Sequence, residues 1–259
     1  MKKPGAVLGV QVPGPGEAAL INPVREAGEA LVPARAVLTF SRPDGQALGR
    51  MIQATSPPRH IWDCAVRQGV WRDRPLTVVG PAPGAPYAAM VLEKLIALGA
   101  RMALALSWCG SLQPGLGIGT LVLAAAAIGG DGTSRHYSSR EELEADRGLY
   151  EILKGRLAAS GAPWLSGSIF TTDAFYRETA GLVEHCRSRG VLGLDLELAA
   201  LFAVGRHRRV PVAGLAVVSD ELATLAWRPG HRSLKFRQGR EAALSVVLDA
   251  AAAWEGDHA

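Results

Sequence analysis

The chain has 259 residues, 48% of them apolar and 20% charged, with a formal net charge of +4; this length supports a large core in one or two domains, and this composition excludes a disordered chain. The longest apolar run, Leu121 to Ile128, is too short to span a bilayer, and the opening MKKPGAVLGVQVPGPG has no apolar segment of the kind a signal peptide needs. Cys64, Cys109 and Cys186 are widely spaced and form no C-x-x-C pair, which argues against a disulfide framework or a zinc site and fits a cytoplasmic location.

Residues 1–33 are rich in Gly, Pro and Ala without a period and read as an irregular N-terminal arm; residues 34–259 read as one α/β domain. From Ala34 onward, short apolar runs alternate with helical patterns, as in βα units around a mostly parallel sheet. Strands are predicted at Ala36–Phe40, Leu76–Gly80, Met102–Ser107, Thr120–Ala126, around Ser168–Phe170, and at Val212–Ser219. Their nearly continuous hydrophobicity fits strands buried on both faces. A helix is predicted over Ala85–Leu98, stopped by Gly99. Ser139 and Glu142 have capping-box spacing for a helix running to Leu157, and Asp173 is placed to cap a short helix through Glu184. Leu196–Arg206 reads as a buried helix and Gly239–Trp254 as an amphipathic C-terminal one.

Several segments carry candidate chemistry. GPAPG, Gly80–Gly84, follows a strand and opens a helix, where backbone N–H groups face an anion or simply turn the chain. It matches neither G-x-G-x-x-G nor a Walker A loop. CGSLQPGLGIG, beginning at Cys109 and Gly110, lines a ligand or connects strands. Cys109 itself reads more readily as a small core residue than as a nucleophile. Asp195 and Glu197 open an otherwise apolar helix, so they either cap it or receive hydrogen bonds from a ligand such as a sugar. Ser219–Asp220 ends the last apolar strand, which places the acid at the ligand crevice or at the cap of a following helix. His136 reads as a loop residue, and the basic segment Arg228–Arg240 as a solvated or anion-facing stretch rather than a nucleic-acid site.

Five blocks resemble, in order and spacing, the nucleoside phosphorylase family, in the branch that holds uridine phosphorylase, bacterial purine nucleoside phosphorylase and nucleosidases. They are LTVVGPAPGAPYAAMVLEKLIALGA, SWCGSLQPGLGIGTLVLAAAAIGGDGTSRHY, TTDAFYRE, VLGLDLELAALFAV and VAGLAVVSD, covering about Leu76 to Asp220. The resemblance implies a single α/β domain with a twisted mixed central sheet flanked by helices. It implies cleavage of a nucleoside N-glycosidic bond. Asp195-Leu196-Glu197 is similar to the family's Glu-Met-Glu motif, so Glu197 would hold ribose hydroxyls and Leu196 would pack under the sugar. Phe175 matches the aromatic residue that stacks on the base. Ser219–Asp220 is similar to the Ser-Asp of purine-cleaving members, whose Asp protonates the leaving base. The segment at Cys109 and Gly110 would line the substrate.

Departures fall at the phosphate site. The family's Gly-Asp-Pro-x-Arg loop falls on SRPDG, which puts Gly45 at the arginine position. The second phosphate arginine falls on Ala105, and the threonine of the Gly-Thr-x-Gly turn on Trp108. Arg42, or Arg59 or His60 of a neighbouring subunit, are candidate replacements, with backbone N–H groups near Gly84 and Gly110. Three readings follow: a phosphorylase using inorganic phosphate, a nucleosidase using water, and a non-catalytic nucleoside-binding protein. The resemblance implies no metal or organic cofactor, no nucleic-acid or membrane partner, and a homo-oligomer (dimer, trimer or hexamer).

Overall fold

Residues 16–55 and 57–256 are described by a computed structural model. Its elements, in chain order, are β1 (Arg35–Thr39), α1 (Arg42–Met51), β2 (Arg59–Ile61), β3 (Cys64–Trp71), β4 (Arg74–Gly80), α2 (Ala85–Ala97), β5 (Met102–Ser111), β6 (Leu121–Gly129), α3 (Ser134–Tyr137), β7 (Glu142–Glu144), α4 (Arg147–Ser160), β8 (Trp164–Thr171), a 3₁₀ turn at Phe175–Arg177, α5 (Ala180–Ser188), β9 (Gly193–Asp195), α6 (Leu198–Arg208), β10 (Val212–Glu221), β11 (Arg228–Pro229) and α7 (Leu234–Ala253). All six strands expected from apolar runs are present. The expected helices over Ala85–Leu98, Leu196–Arg206 and Gly239–Trp254 become α2, α6 and α7.

Among the described residues the strands form one mixed sheet in the order β11-β10-β6-β8-β9-β5-β1-β4-β3-β2, with β7 attached to β6. Because β10 also pairs with β5, the strands β10, β6, β8, β9 and β5 close into a ring. From that ring β1, β4, β3 and β2 extend as an open wing. Successive side chains of a strand point to opposite faces, and the two faces are covered by different helices. Leu38 and Val79 pack with Leu92 and Leu95 of α2 and Leu201 and Phe202 of α6. Val37, Leu104 and Leu123 pack on the other side with Leu48 of α1, Leu149 and Leu153 of α4 and Val247 of α7. A smaller cluster joins Val183 and Cys186 of α5 to Leu112, Leu194 and Leu222.

Two helix starts differ from expectation. Ser139 and Glu142 do not form a capping box, because Glu142–Glu144 pairs antiparallel with β6. The helix begins later, and Asp146 caps it by accepting the Leu149 N–H at 2.9 Å. Asp173 does not cap α5; its carboxylate accepts the Gly132 N–H at 2.6 Å, and Thr179 caps the helix instead. The sequence reading also passed over α1, which contains Pro43, Gly45 and Gly49. Ser41 starts it by accepting the Asp44 N–H at 3.2 Å, and proline is tolerated in a first turn.

Of the expected N-terminal arm, residues 1–15 lie outside the described residues, and residues 16–34 hold no helix or strand. The arm is fastened to α2: Lys94 Nζ donates to Val24 O at 2.8 Å and to Glu29 at 2.7 Å. Among the described residues no helix is long and apolar enough to cross a membrane.

Candidate active site

The acid at the end of β10 is aimed by an irregularity in its pairing. Along β5, Val218 lies opposite Cys109 and Asp220 opposite Gly110, so Ser219 is an extra residue in the ladder. Such a bulge bends the strand and redirects the following side chain. Two donors then hold Asp220: Ser219 Oγ reaches Oδ1 at 2.6 Å and Trp227 Nε1 reaches Oδ2 at 3.0 Å. Gly110 leaves room opposite, since a Cβ there would stand 3.0 Å from Asp220 Oδ2 and press on the carboxylate. The strand continues to Glu221, so Asp220 caps no helix.

Asp195 and Glu197 divide the two roles that the sequence left open. Asp195 ends β9 beside Thr171. Its Oδ1 accepts from Thr171 Oγ1 at 2.6 Å and its Oδ2 from the Leu198 N–H at 2.9 Å, so it serves the first turn of α6. Glu197 turns the other way. Its Oε1 accepts the Gly84 N–H at 2.8 Å and its Oε2 accepts from Ser107 Oγ at 3.3 Å. Both carboxyl groups are raised above the usual range, chiefly by burial. The charge of Asp195 raises Glu197 further. Asp195 has the shorter donors, so Glu197 is the first of the pair to take a proton.

These elements surround a cavity of about 400 Å³. Trp108, Cys109 and Gly110 of β5 form one side, and Leu194, Asp195 and Leu196 another. Phe175 comes from the 3₁₀ turn and Glu178 follows it, and Ser219, Asp220, Trp227 and His231 complete the lining. The substrate-site candidates Phe175, Asp195, Leu196, Ser219, Cys109, Gly110 and Asp220 therefore meet at one place. Glu197 is not in the lining; it is 4% exposed and held by Gly84 and Ser107. Cys109 is a wall rather than a nucleophile, because burial and the nearby Asp195 and Asp220 raise its thiol well above the ordinary value.

Sequence reasoning missed Glu178, Trp227 and His231. Glu178 ends the block TTDAFYRE and His231 lies in the basic segment Arg228–Arg240, but no local pattern marks either as a site residue; the tertiary fold brings them and Trp227 to the Asp220 cavity. Phe175 and Trp227 meet edge to face with ring centroids 6.4 Å apart, at the mouth of the cavity. Burial, and then the charge of Asp220, push the Glu178 carboxyl up to about 7.

Within the single chain, Arg42, Arg59 and the Gly84 N–H do not reach this cavity, whereas Gly110 lines it. The Gly84 N–H is taken by Glu197. Arg42 begins α1 and is exposed. Arg59 donates to the backbone carbonyls of Ala30 and Leu31 in the arm. Another residue of SRPDG is engaged instead: Asp44 is fully buried and accepts from Trp108 Nε1 at 2.8 Å and from Arg240 Nε. One arginine that sequence reasoning did not consider does approach Gly45. Arg67 Nη1 lies 3.6 Å from where a Gly45 Cβ would be, and it donates to Gly80 O at 3.4 Å. Arg67 lines a separate cavity with Gly49 and Arg50. Among the described residues no group of three or more His, Cys, Asp or Glu side chains is placed to hold a metal ion.

Comparison with known proteins places the sequence and the fold. The chain is 29% identical to guanosine phosphorylase of Halorubrum lacusprofundi over 148 residues, which are 57% of this chain and 61% of that protein. It is 26% identical to a DeoD-type purine nucleoside phosphorylase of Jannaschia sp. over 184 residues, 70% of this chain and 79% of that one. The fold is that of purine nucleoside phosphorylase from Toxoplasma gondii, with a TM-score of 0.77, 21% identity, and coverage of 85% of this chain and 91% of that one. A family model described as the Phosphorylase superfamily matches residues 36–253, and the chain belongs to that superfamily.

Proposed function

We propose that the chain is a nucleoside-cleaving enzyme of the phosphorylase type, breaking the N-glycosidic bond of a purine-type nucleoside in the Asp220 cavity. The observation that carries this reading is the bulge at Ser219. It aims a doubly hydrogen-bonded carboxylate into a cavity with two aromatic rings at its mouth. In this reading the base stacks on Phe175, and Asp220 carries the proton that the base nitrogen receives as the C1′–N bond breaks. General acid catalysis of this kind contributes roughly 10²–10⁴-fold in rate. Glu197 holds ribose hydroxyls. Each of its oxygens already has one donor and retains a lone pair for one more. No metal or organic cofactor enters the reading.

The nucleophile is water, or phosphate held weakly. This follows from Trp108 and the Asp44–Arg240 pair, which put an indole and a buried carboxylate where the resemblance would place a phosphate clamp. Asp44 is already paired with Arg240, so the pair offers little net charge to hold an anion, and backbone dipoles replace only part of two guanidinium contacts.

A homo-oligomer and a cytoplasmic location go with this reading. Ile21, Trp62 and Met90 are exposed around a second cavity of about 490 Å³ under the arm, as a face covered by another copy would be. The three cysteines are free and buried.

The test is chromatography of free base released from a panel of purine and pyrimidine nucleosides, with and without phosphate. Release from purine nucleosides supports the proposal. Tight nucleoside binding without release in either condition would make the chain a binding protein.

A further inference from the structure

Helix α1 carries two buried glycines one turn apart, Gly45 and Gly49. Glycine is unfavourable inside a helix, so such a pair calls for a packing reason. That reason is Arg67 of β3. A Cβ on Gly49 would overlap Arg67 Cδ, and a Cβ on Gly45 would stand 3.6 Å from its Nη1. The two glycines form a trench along the helix, and the stem of the half-buried arginine lies in it. The guanidinium is thereby held in one place, with Nη1 on Gly80 O at 3.4 Å. Around it, Gln46, Gly49 and Arg50 of α1 and Gln53 just past its end recur at the three- and four-residue spacing of one helix face. Together with Arg67 they line a cavity of about 540 Å³, whose lining holds two arginines and no aspartate or glutamate. It shares no lining residue with the Asp220 cavity.

We infer that this cavity is a second binding site, and that it takes a phosphate monoester of a small polar molecule such as a sugar phosphate. A guanidinium fork gives two parallel N–H bonds to phosphate oxygens, a strong and directional contact, and Arg67 presents that fork already oriented. Arg50 supplies the second cation from the helix face. The side-chain amides of Gln46 and Gln53 add N–H donors for the remaining phosphate oxygens and both donors and acceptors for sugar hydroxyls. Two positive charges in a cleft without a carboxylate raise the local concentration of a dianion. The volume admits more than the phosphate group alone. The inference stands apart from the nucleoside-cleaving reading, because neither Arg67 nor α1 supplies a residue to the Asp220 cavity lining.

The experiment is isothermal titration calorimetry of the full chain with ribose 5-phosphate, and with ribose for comparison, at physiological salt. Ribose 5-phosphate is expected to bind at one site per chain, at least roughly tenfold more tightly than ribose. Arg67→Met keeps much of the stem and removes the fork. It is expected to weaken binding roughly ten- to a hundredfold, the size of a lost charge-assisted hydrogen bond. Gly49→Ala leaves every donor in the chain but pushes Arg67 out of its trench, so it too is expected to weaken binding. A glycine needed only for helix packing would leave binding unchanged. Circular dichroism is the folding control, and Arg67→Lys, which keeps the charge without the fork, replaces Arg67→Met if that variant does not fold; its expected loss is smaller. No binding of ribose 5-phosphate, equal binding of ribose, or unchanged binding in a folded Arg67 variant would overturn the inference. A loss produced by Asp220→Asn and not by the Arg67 variants would place the ligand in the Asp220 cavity and overturn it as well.

Discussion

Trp108 Nε1 donates to Asp44 Oδ2 at 2.8 Å, which ties one wall of the Asp220 cavity to the first turn of α1. The same carboxylate takes Arg240 from α7, and the indole packs edge to face on Phe236 with centroids 4.8 Å apart. Two positions that the resemblance assigns to phosphate, the SRPDG loop and the threonine replaced by Trp108, are thus joined to each other. That bond ties the two positions together and fixes one wall of the cavity.

Asp44→Ala tests the structural weight of this cluster. It leaves Arg240 and the Trp108 N–H without their acceptor. Breaking a buried ion pair by removing one partner costs about 3–5 kcal/mol, and we expect about 2–4 kcal/mol because Arg240 retains some contact with water. Urea unfolding followed by tryptophan fluorescence measures the loss. A change below about 0.5 kcal/mol, the size of an ordinary surface substitution, would show that the cluster does not hold α1 and α7 together.

Glu197→Gln keeps the shape of the side chain and replaces one carboxyl oxygen with an amide N–H donor. If Glu197 holds ribose, the variant stays folded and loses about 1.5–3 kcal/mol of transition-state binding, roughly ten- to a hundredfold in kcat/KM. Near-normal turnover would remove Glu197 from the site.

The same variant changes the response of stability to pH. Burial raises the folded Glu197 carboxyl above its ordinary value of 4.5, so its ionised form is disfavoured in the fold. The resulting cost is absent below pH 4.5 and grows as pH rises towards the folded value. The melting temperature of Glu197→Gln relative to the unaltered protein is therefore expected to increase from pH 5 to pH 8. A difference that is flat or falls over that range would mean the carboxylate is fully compensated by Gly84 and Ser107.

Asp220→Asn addresses the proton on the leaving base. Nucleosides with poor leaving bases are expected to slow far more than those carrying activated leaving groups. Equal slowing of both, or a loss of melting temperature with no selective loss of rate, would make Asp220 a structural partner of Ser219 and Trp227.

What could be read from the sequence depended on how local each signal was. Three strands of the closed ring, β5, β6 and β10, are long apolar runs and are legible in the sequence. By contrast, β3 alternates apolar residues with Arg67 and Gln68 and lies in the wing, and β7, β9 and β11 are two or three residues long. The capping spacing of Ser139 and Glu142 was real, but pairing of Glu142–Glu144 with β6 prevailed over it. Within the site, Phe175, Asp195, Leu196, Ser219 and Asp220 line one cavity, whereas Glu197 does not. Glu178, Trp227 and His231 reach the cavity through loops, and the Asp44–Trp108 bond spans 64 positions of sequence. No spacing rule connects such residues.

The most direct measurement is the initial rate of base release from a purine nucleoside as phosphate is raised, with the sugar product identified. Each missing charge-assisted contact weakens phosphate binding by about 1.5–3 kcal/mol, so two lower its affinity by hundreds-fold or more. The expected result is base release that depends only weakly on phosphate, with free sugar formed when phosphate is absent. Tight saturation by phosphate with sugar 1-phosphate as sole product, or no base release at all, would contradict the account.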